Sequence, residues 1–354
     1  MKIRRWNVRK KNIFQWIFVA ITLFTLASVL RLPRLHSESQ SKTAAVTRPG
    51  APSTGVNSSE QNPLQVAILH WYKANLTANF SVGKNPCNSL DGHCIAFDGL
   101  HVWVTNSDNT VTELRASDGY TVGTFAVGNG PSDVAFDGAN IWVTNNIDGT
   151  VTKLRASDGK TLGTFTVGSL PVGVAFDGTN MWVVNEGSNN VTKLLASTGA
   201  TLGTFTVGSC PAGVAFDGAN IWVTNNIDDT VTKLRASDGA NLGTFVVGNS
   251  PGDVAYDGAN IWVTNFFSKT VTKLRASDGT ILGTFTVGSS PEGVAFDAAN
   301  IWVANGGSNT VTKLRASDGK ILGTFTVGGS PTGVAFDGAN IWVANFGINT
   351  LSKL

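Results

Sequence analysis

From Leu76 to Leu354 the chain writes one phrase of about forty residues some seven times, close to verbatim. The phrase runs Pro-x-Gly-Val-Ala-Phe-Asp-Gly-Ala-Asn-Ile-Trp-Val-Thr-Asn, a variable turn, Thr-Val-Thr-Lys-Leu-Arg-Ala-Ser-Asp-Gly, then Leu-Gly-Thr-Phe-Thr-Val-Gly. Its marker tryptophans are Trp103, Trp142, Trp182, Trp222, Trp262, Trp302 and Trp342, evenly spaced after one short first step. Internal periodicity of this length restricts the fold to stacked or radial repeat architectures. Each copy holds four short runs rich in β-branched and aromatic residues, bounded by Asp-Gly or Gly/Pro punctuation, which predicts four strands per copy. Asp-Gly pairs such as Asp137-Gly138 and Asp158-Gly159 supply the positive-φ positions that tight hairpins need.

Four strands per repeat, arranged radially, predict an all-β, seven-bladed β-propeller of four-stranded blades. A linear solenoid is the competitor, and it would want polar caps at both ends. The last copy reaches Leu354 inside its third strand, while a spare fourth strand, Leu76-Thr-Ala-Asn-Phe-Ser-Val-Gly83, precedes the first copy. The expectation is a ring closed by one N-terminal strand joining three C-terminal strands, which removes exposed sheet edges.

Ahead of the repeats, residues 1–11 carry six basic residues and no acid, and an apolar run spans Ile13 to Leu30. Those residues would reach ~27 Å as a helix, just short of a ~30 Å hydrocarbon core. A single transmembrane signal-anchor over 12–30 is expected, with the basic segment 1–11 cytoplasmic and the propeller, periplasmic or at the cell surface, outside. A cleaved secretory signal, giving a secreted ring, is the rival reading; no small-x-small site directly follows Leu30. Residues 31–75 read as a flexible linker, with a short helix expected over 64–73, and the propeller as 76–354. The first 34 residues hold eight of the 26 basic residues, leaving 18 against 24 acids and a formal −6 for the remainder. That balance argues against a nucleic-acid partner.

The first copy has six extra residues between Pro86 and Phe97, bracketed by Cys87 and Cys94. In an oxidising compartment a Cys87–Cys94 disulfide is the expected outcome; a metal cluster of Cys87, Asp91, His93 and Cys94 is the alternative. Cys210 stands where other copies have Ser, Leu or Gly.

Copies differ mainly at two connections: from the fourth strand into the next blade, and from the second strand to the third. In an up-and-down blade both lie on one face of the disc, where loops on a rigid scaffold carry function. Phe266, Phe267, Phe346, Ile348, Ile147 and Ile227 are candidate ligand-binding residues there, forming an apolar rim. Asp133 and Asp253 occupy one position in blades three apart and are candidates to hold a divalent cation at the channel mouth; no other cofactor is expected. The recurring Asn106, Asn145, Asn185, Asn225, Asn265, Asn305 and Asn345 are expected to bond the following turn. The repeated Phe and Trp are expected between blades.

The run Trp-Val-Thr-Asn, Thr-Val-Thr-Lys-Leu, Thr-Phe-Thr-Val-Gly and Pro-x-Gly-Val-Ala-Phe-Asp over residues 76–354 resembles the YVTN-type propeller repeat. Related seven-bladed propellers include NHL-type proteins and the virginiamycin B lyase family. The lyase resemblance implies histidine and glutamate near the channel with a magnesium ion. The ring has only His93 and His101, both in the first blade, so the resemblance implies the fold without the lyase site. No Gly-x-x-x-x-Gly-Lys phosphate loop, WD40 signature or nucleophile–histidine pairing is present. The expectation is a non-enzymatic, membrane-tethered binding scaffold for a protein or glycan ligand at the variable-loop face. A metal-dependent propeller enzyme of lyase or lactonase type, or a spacer without a specific ligand, are the alternatives.

Overall fold

A computed structural model describes residues 78–87 and 94–354. These residues form seven four-stranded antiparallel sheets, the blades of a β-propeller. The second blade shows the plan: Pro131–Phe136 innermost, then Asn140–Asn145, Thr150–Arg155 and the outermost Thr161–Thr166. Its second strand, Asn-Ile-Trp-Val-Thr-Asn, is buried along nearly its whole length, as expected of a strand covered on both faces. The outermost strand alternates in exposure because its outer edge meets water.

Closure follows the expected interlock. Ala78–Ser81 pairs antiparallel with Thr350–Lys353, Phe80 opposite Leu351, completing the sheet of Pro331–Phe336 and Ile341–Asn345. Three further bonds tie the two ends: Val82 N donates to Asn349 O, Asn85 N to Asn349 Oδ1, and Ser352 Oγ to Asn79 Oδ1.

No blade can cover its own faces, so the core consists of seams between blades. Trp103 and Val111 of the first blade pack against Val134, Ile141, Val143 and Leu154 of the second. The grouping recurs around the ring, ending with Trp342 of the last blade packed among Ile95, Val102 and Leu114 of the first. A phenylalanine from each outermost strand lies beside the tryptophan, as Phe125 does 5.5 Å from Trp103. In the closing blade Phe80 takes that part, 5.3 Å from Trp342, and its ring covers Gly119 of the first blade so closely that no Cβ would fit there.

The first blade departs from the plan. Its inner strand is cut to Ile95–Phe97, and the six inserted residues, 88–93, lie outside the described set. A disulfide joins Cys87 to Cys94 across the base of this excursion, Cα atoms 5.1 Å apart. Both cysteines stay in the ladder: Cys87 N donates to Thr105 O, and Thr105 N donates to Cys94 O. The two segments on either side of the insertion thus still pair with the same neighbouring strand.

Among the described residues no helix is long and apolar enough to cross a membrane. The expected anchor over 12–30, the linker and the helix over 64–73 lie outside them.

Because the last seam depends on Phe80, Phe80→Ala is expected to cost roughly 3 kcal/mol, the low end for a large aromatic truncation, measured by urea denaturation. Deleting residues 76–83 should lower the melting temperature much further by exposing Trp342; a deletion variant that melts like the parent would disprove the closure.

Candidate functional site

The connections that vary do share a face. In each interblade step the backbone binds the neighbouring second-to-third-strand turn: Asn146 N donates to Gly130 O, Glu186 N to Leu170 O, Phe266 N to Ser250 O and Phe346 N to Ser330 O, all at 2.8–3.0 Å. The residue before each proline adopts a left-handed conformation, with φ of 51° at Leu170 and 56° at Ser250. Beneath these loops the seven asparagines are buried. Asn145 Oδ1 accepts from Gly128 N, and its Nδ2 donates to Thr150 and Thr152 Oγ1. A Cβ on Gly128 would sit 2.6 Å from that side chain, which is why the repeat keeps glycine there. Backbone and buried amides fix the loops, and their outward side chains are free to differ.

Of the rim residues, Ile147, Phe267 and Ile348 are exposed, at 72%, 44% and 49%. Phe266, Phe346 and Ile227 are half-buried. Phe266 and Phe267 meet edge to face with centroids 5.1 Å apart. Leu170, on an interblade step, is a further exposed apolar residue of this face.

Asp133 and Asp253 are buried in inner strands and occupied by backbone donors. Asp133 Oδ1 accepts from Val134 N, and Oδ2 accepts from Val174 N of the next blade, both at 2.6 Å. Asp253 treats Val254 and Val294 in the same way. These carboxylates staple one blade to the next, a part that spacing alone did not reveal. The sulfurs of Cys87 and Cys94 are consumed in the disulfide, so the alternative thiolate cluster does not form.

The opposite face carries a site that the repeat pattern had hidden. In the second blade, Asp137 Oδ1 accepts from Ala139 N and Asn140 N, and Oδ2 accepts from Trp142 Nε1 at 2.7 Å. Lys153 Nζ lies 4.0 Å from Asp137 Oδ2 and 4.9 Å from the Trp142 ring centroid, and it donates to Ala196 O of the next blade. Lys193, Lys233 and Lys273 make the same carbonyl contact, as does Lys353, which reaches Ala116 of the first blade. In the first blade alone, histidine replaces the asparagine and glutamate the lysine. His101 Nδ1 sits 3.3 Å from Asp98 Oδ2 and 3.1 Å from Glu113 Oε1. Burial raises the Glu113 carboxyl above its ordinary range, opposed by the His101 charge and reinforced by that of Asp98. Among the described residues this is the one group of three metal-ligating side chains within mutual reach. The readable signal was a paired departure from the repeat at positions 101 and 113, inside strands rather than loops.

Solved structures that share the fold include three of near-equal similarity. A hydrazine synthase chain of Kuenenia stuttgartiensis is 18% identical, with a TM-score of 0.66 over 77% of this chain and 97% of that one. A streptogramin B lyase is 18% identical with a TM-score of 0.66, covering 78% and 96%. Virginiamycin B lyase from Staphylococcus aureus is 17% identical with a TM-score of 0.65, covering 78% and 99%. The chain is a seven-bladed propeller similar to the virginiamycin B lyase-like propellers, consistent with its YVTN-type repeat. At this identity the likeness establishes the fold alone. No protein-family model matches the sequence. No curated protein matches it either.

Removing the Asp133 carboxylate strands two buried N–H groups. Asp133→Ala should therefore cost about 2–4 kcal/mol in urea denaturation, with Asp133→Asn recovering part of the loss.

The turn aspartates give an acid dependence. Burial works to raise the carboxyls of Asp137, Asp177, Asp297 and Asp337, but bonds from tryptophan, asparagine and backbone N–H groups outweigh it and hold them below the usual range. A depressed folded-state value gives stability that is present above the unfolded value of ~3.9 and lost as pH falls toward the folded one. Tryptophan fluorescence and near-UV circular dichroism should show stability falling below about pH 4, with a shallower dependence in Asp137→Asn.

Proposed function

We propose that this chain is a non-enzymatic binding scaffold, anchored by its N-terminal segment with the propeller outside the cytoplasm, whose variable-loop face takes a protein or glycan ligand. One observation carries the reading: the loops that differ between copies share one face and are clamped to each other by backbone hydrogen bonds. Side chains such as Ile147, Phe267 and Ile348 are therefore presented from fixed positions. A preordered apolar rim loses little conformational freedom on binding. Membrane attachment rests on the basic segment followed by the apolar run from Ile13 to Leu30.

The enzyme reading draws on the likeness to two lyases. The same fold also serves a hydrazine synthase chain, so the likeness favours no particular chemistry.

A pull-down from the organism's own envelope extract with residues 64–354 as bait should retain a specific partner. Phe267→Ser combined with Ile348→Ser should weaken that retention at least ~10-fold, as expected when exposed anchors are removed, without changing the melting temperature. Retention unaffected by these changes would support a spacer or a partner on another surface.

A further inference from the structure

We propose that Asp98, His101 and Glu113 form a binding site for one first-row divalent cation of the zinc class, on the face opposite the variable loops. Asp98 Oδ2, His101 Nδ1 and Glu113 Oε1 lie within 4.8 Å of one another. The imidazole nitrogen is 3.3 Å and 3.1 Å from the two oxygens. Ligands ~2.1 Å from a tetrahedral zinc stand ~3.4 Å apart, so the donors need only small shifts to close around an ion.

The sister blades give an independent reason to place a cation here. At the same point of the repeat they hold a lysine ammonium over the tryptophan ring, which in the second blade also lies 4.0 Å from the turn aspartate and on a carbonyl of the next blade. That arrangement balances one carboxylate with one ammonium. The first blade removes the ammonium and adds a second carboxyl group, so no lysine stands opposite the two acids. A divalent ion held by two carboxylates and a neutral imidazole is charge-balanced. Both carboxylates are almost wholly buried, with side-chain exposures of 6% and 5%, and burial of unbalanced charge is costly.

The surroundings suit a metal centre. Asp98 is oriented by Trp103 Nε1 on Oδ2 and by the backbone N–H groups of Leu100 and His101 on Oδ1, the kind of outer support that fixes ligand carboxylates. His101 is 25% exposed at its side chain, which leaves a solvent approach for a fourth, water ligand. An imidazole among only three protein ligands selects zinc-class ions over magnesium or calcium, which favour all-oxygen sets.

The test uses the detergent-solubilised full chain, stripped of metal and titrated with Zn²⁺ by calorimetry, with Co²⁺ absorption as a second readout. The decisive variant combines His101→Asn with Glu113→Lys, giving the first blade the pair its sisters carry and so a proven folding solution. The parent should bind one more equivalent of Zn²⁺ than this variant, and affinity at that site should fall by more than ~100-fold, beyond what loss of an outer-shell partner produces. The reciprocal change in the second blade, Asn140→His with Lys153→Glu, should add an equivalent. Equal stoichiometry in the parent and the His101→Asn/Glu113→Lys variant, or a parent Co²⁺ spectrum indistinguishable from the hexa-aqua ion, would overturn the proposal and leave an internal ion pair.

Discussion

The whole ring depends on the burial of a tryptophan from one blade in the hydrophobic face of the next. An indole brings the largest apolar area a side chain offers, but it also carries an N–H that cannot be buried without a partner. The repeat answers with the turn aspartate five residues earlier, as in the Trp142–Asp137 bond of 2.7 Å. The aspartate in turn needs compensation, supplied by backbone N–H groups, an asparagine amide and, in the second blade, a lysine ammonium 4.0 Å away. Each residue of the phrase answers a need created by another, and that is why the phrase changes so little. In a ring every seam has the same two sides, so no blade is dispensable and none needs a cap.

The same chain of needs explains the difference between the two faces. On one, the Asp-Gly-Ala-Asn turn must hold the indole, while the Ala-Ser-Asp-Gly turn needs an aspartate to accept from Arg155 and Lys160 N and a glycine where Phe125 leaves no room for a Cβ, so side-chain identity is constrained. On the other, the loops are joined by main-chain bonds such as Asn146 N to Gly130 O and by side chains at a few fixed positions, such as Asp148 and Ser188 accepting from Asn129 N and Ser169 N, and a main-chain bond is indifferent to the side chain it carries. Variation is physically permitted there, and the rim of Ile147, Phe267 and Ile348 occupies that freedom.

Architecture was readable from the sequence because periodicity and strand punctuation are local signals repeated seven times. The closing strand was visible as Asn-Phe-Ser-Val-Gly, and its Phe80 proved to take the place of Phe125 in the last seam. The asparagine ring and the Cys87–Cys94 loop also followed from position alone. Asp133 and Asp253 were harder: a carboxylate at a channel position reads equally as a ligand or as an acceptor for N–H groups, and only the bulged backbone decides which. Asp98, His101 and Glu113 were hidden for a different reason. Residues 101 and 113 belong to separate strands, and their side chains meet only because antiparallel register sets Trp103 opposite Glu113 and His101 opposite Arg115.

Departures from the repeat concentrate in the first blade, and they have a common physical setting. Its inner strand is split, with Pro86 paired to Asn106 and Ile95–Phe97 paired to the same second strand, so two separate segments must keep the register that one strand keeps elsewhere. The disulfide and the paired bonds to Thr105 hold the interrupted strand in line. The exchange of asparagine and lysine for histidine and glutamate sits in the same sheet, where it alters the link to the second blade. A lysine holds a carbonyl of the next blade with a single long side chain. Three short-range ligands on a common ion would instead tie the first blade's own turn and two of its strands together, stiffening the sheet that received the insertion. Charge inversion at a seam is therefore intelligible only where something other than lysine balances it, and the first blade is the one sheet that sets two carboxylates and an imidazole at that point.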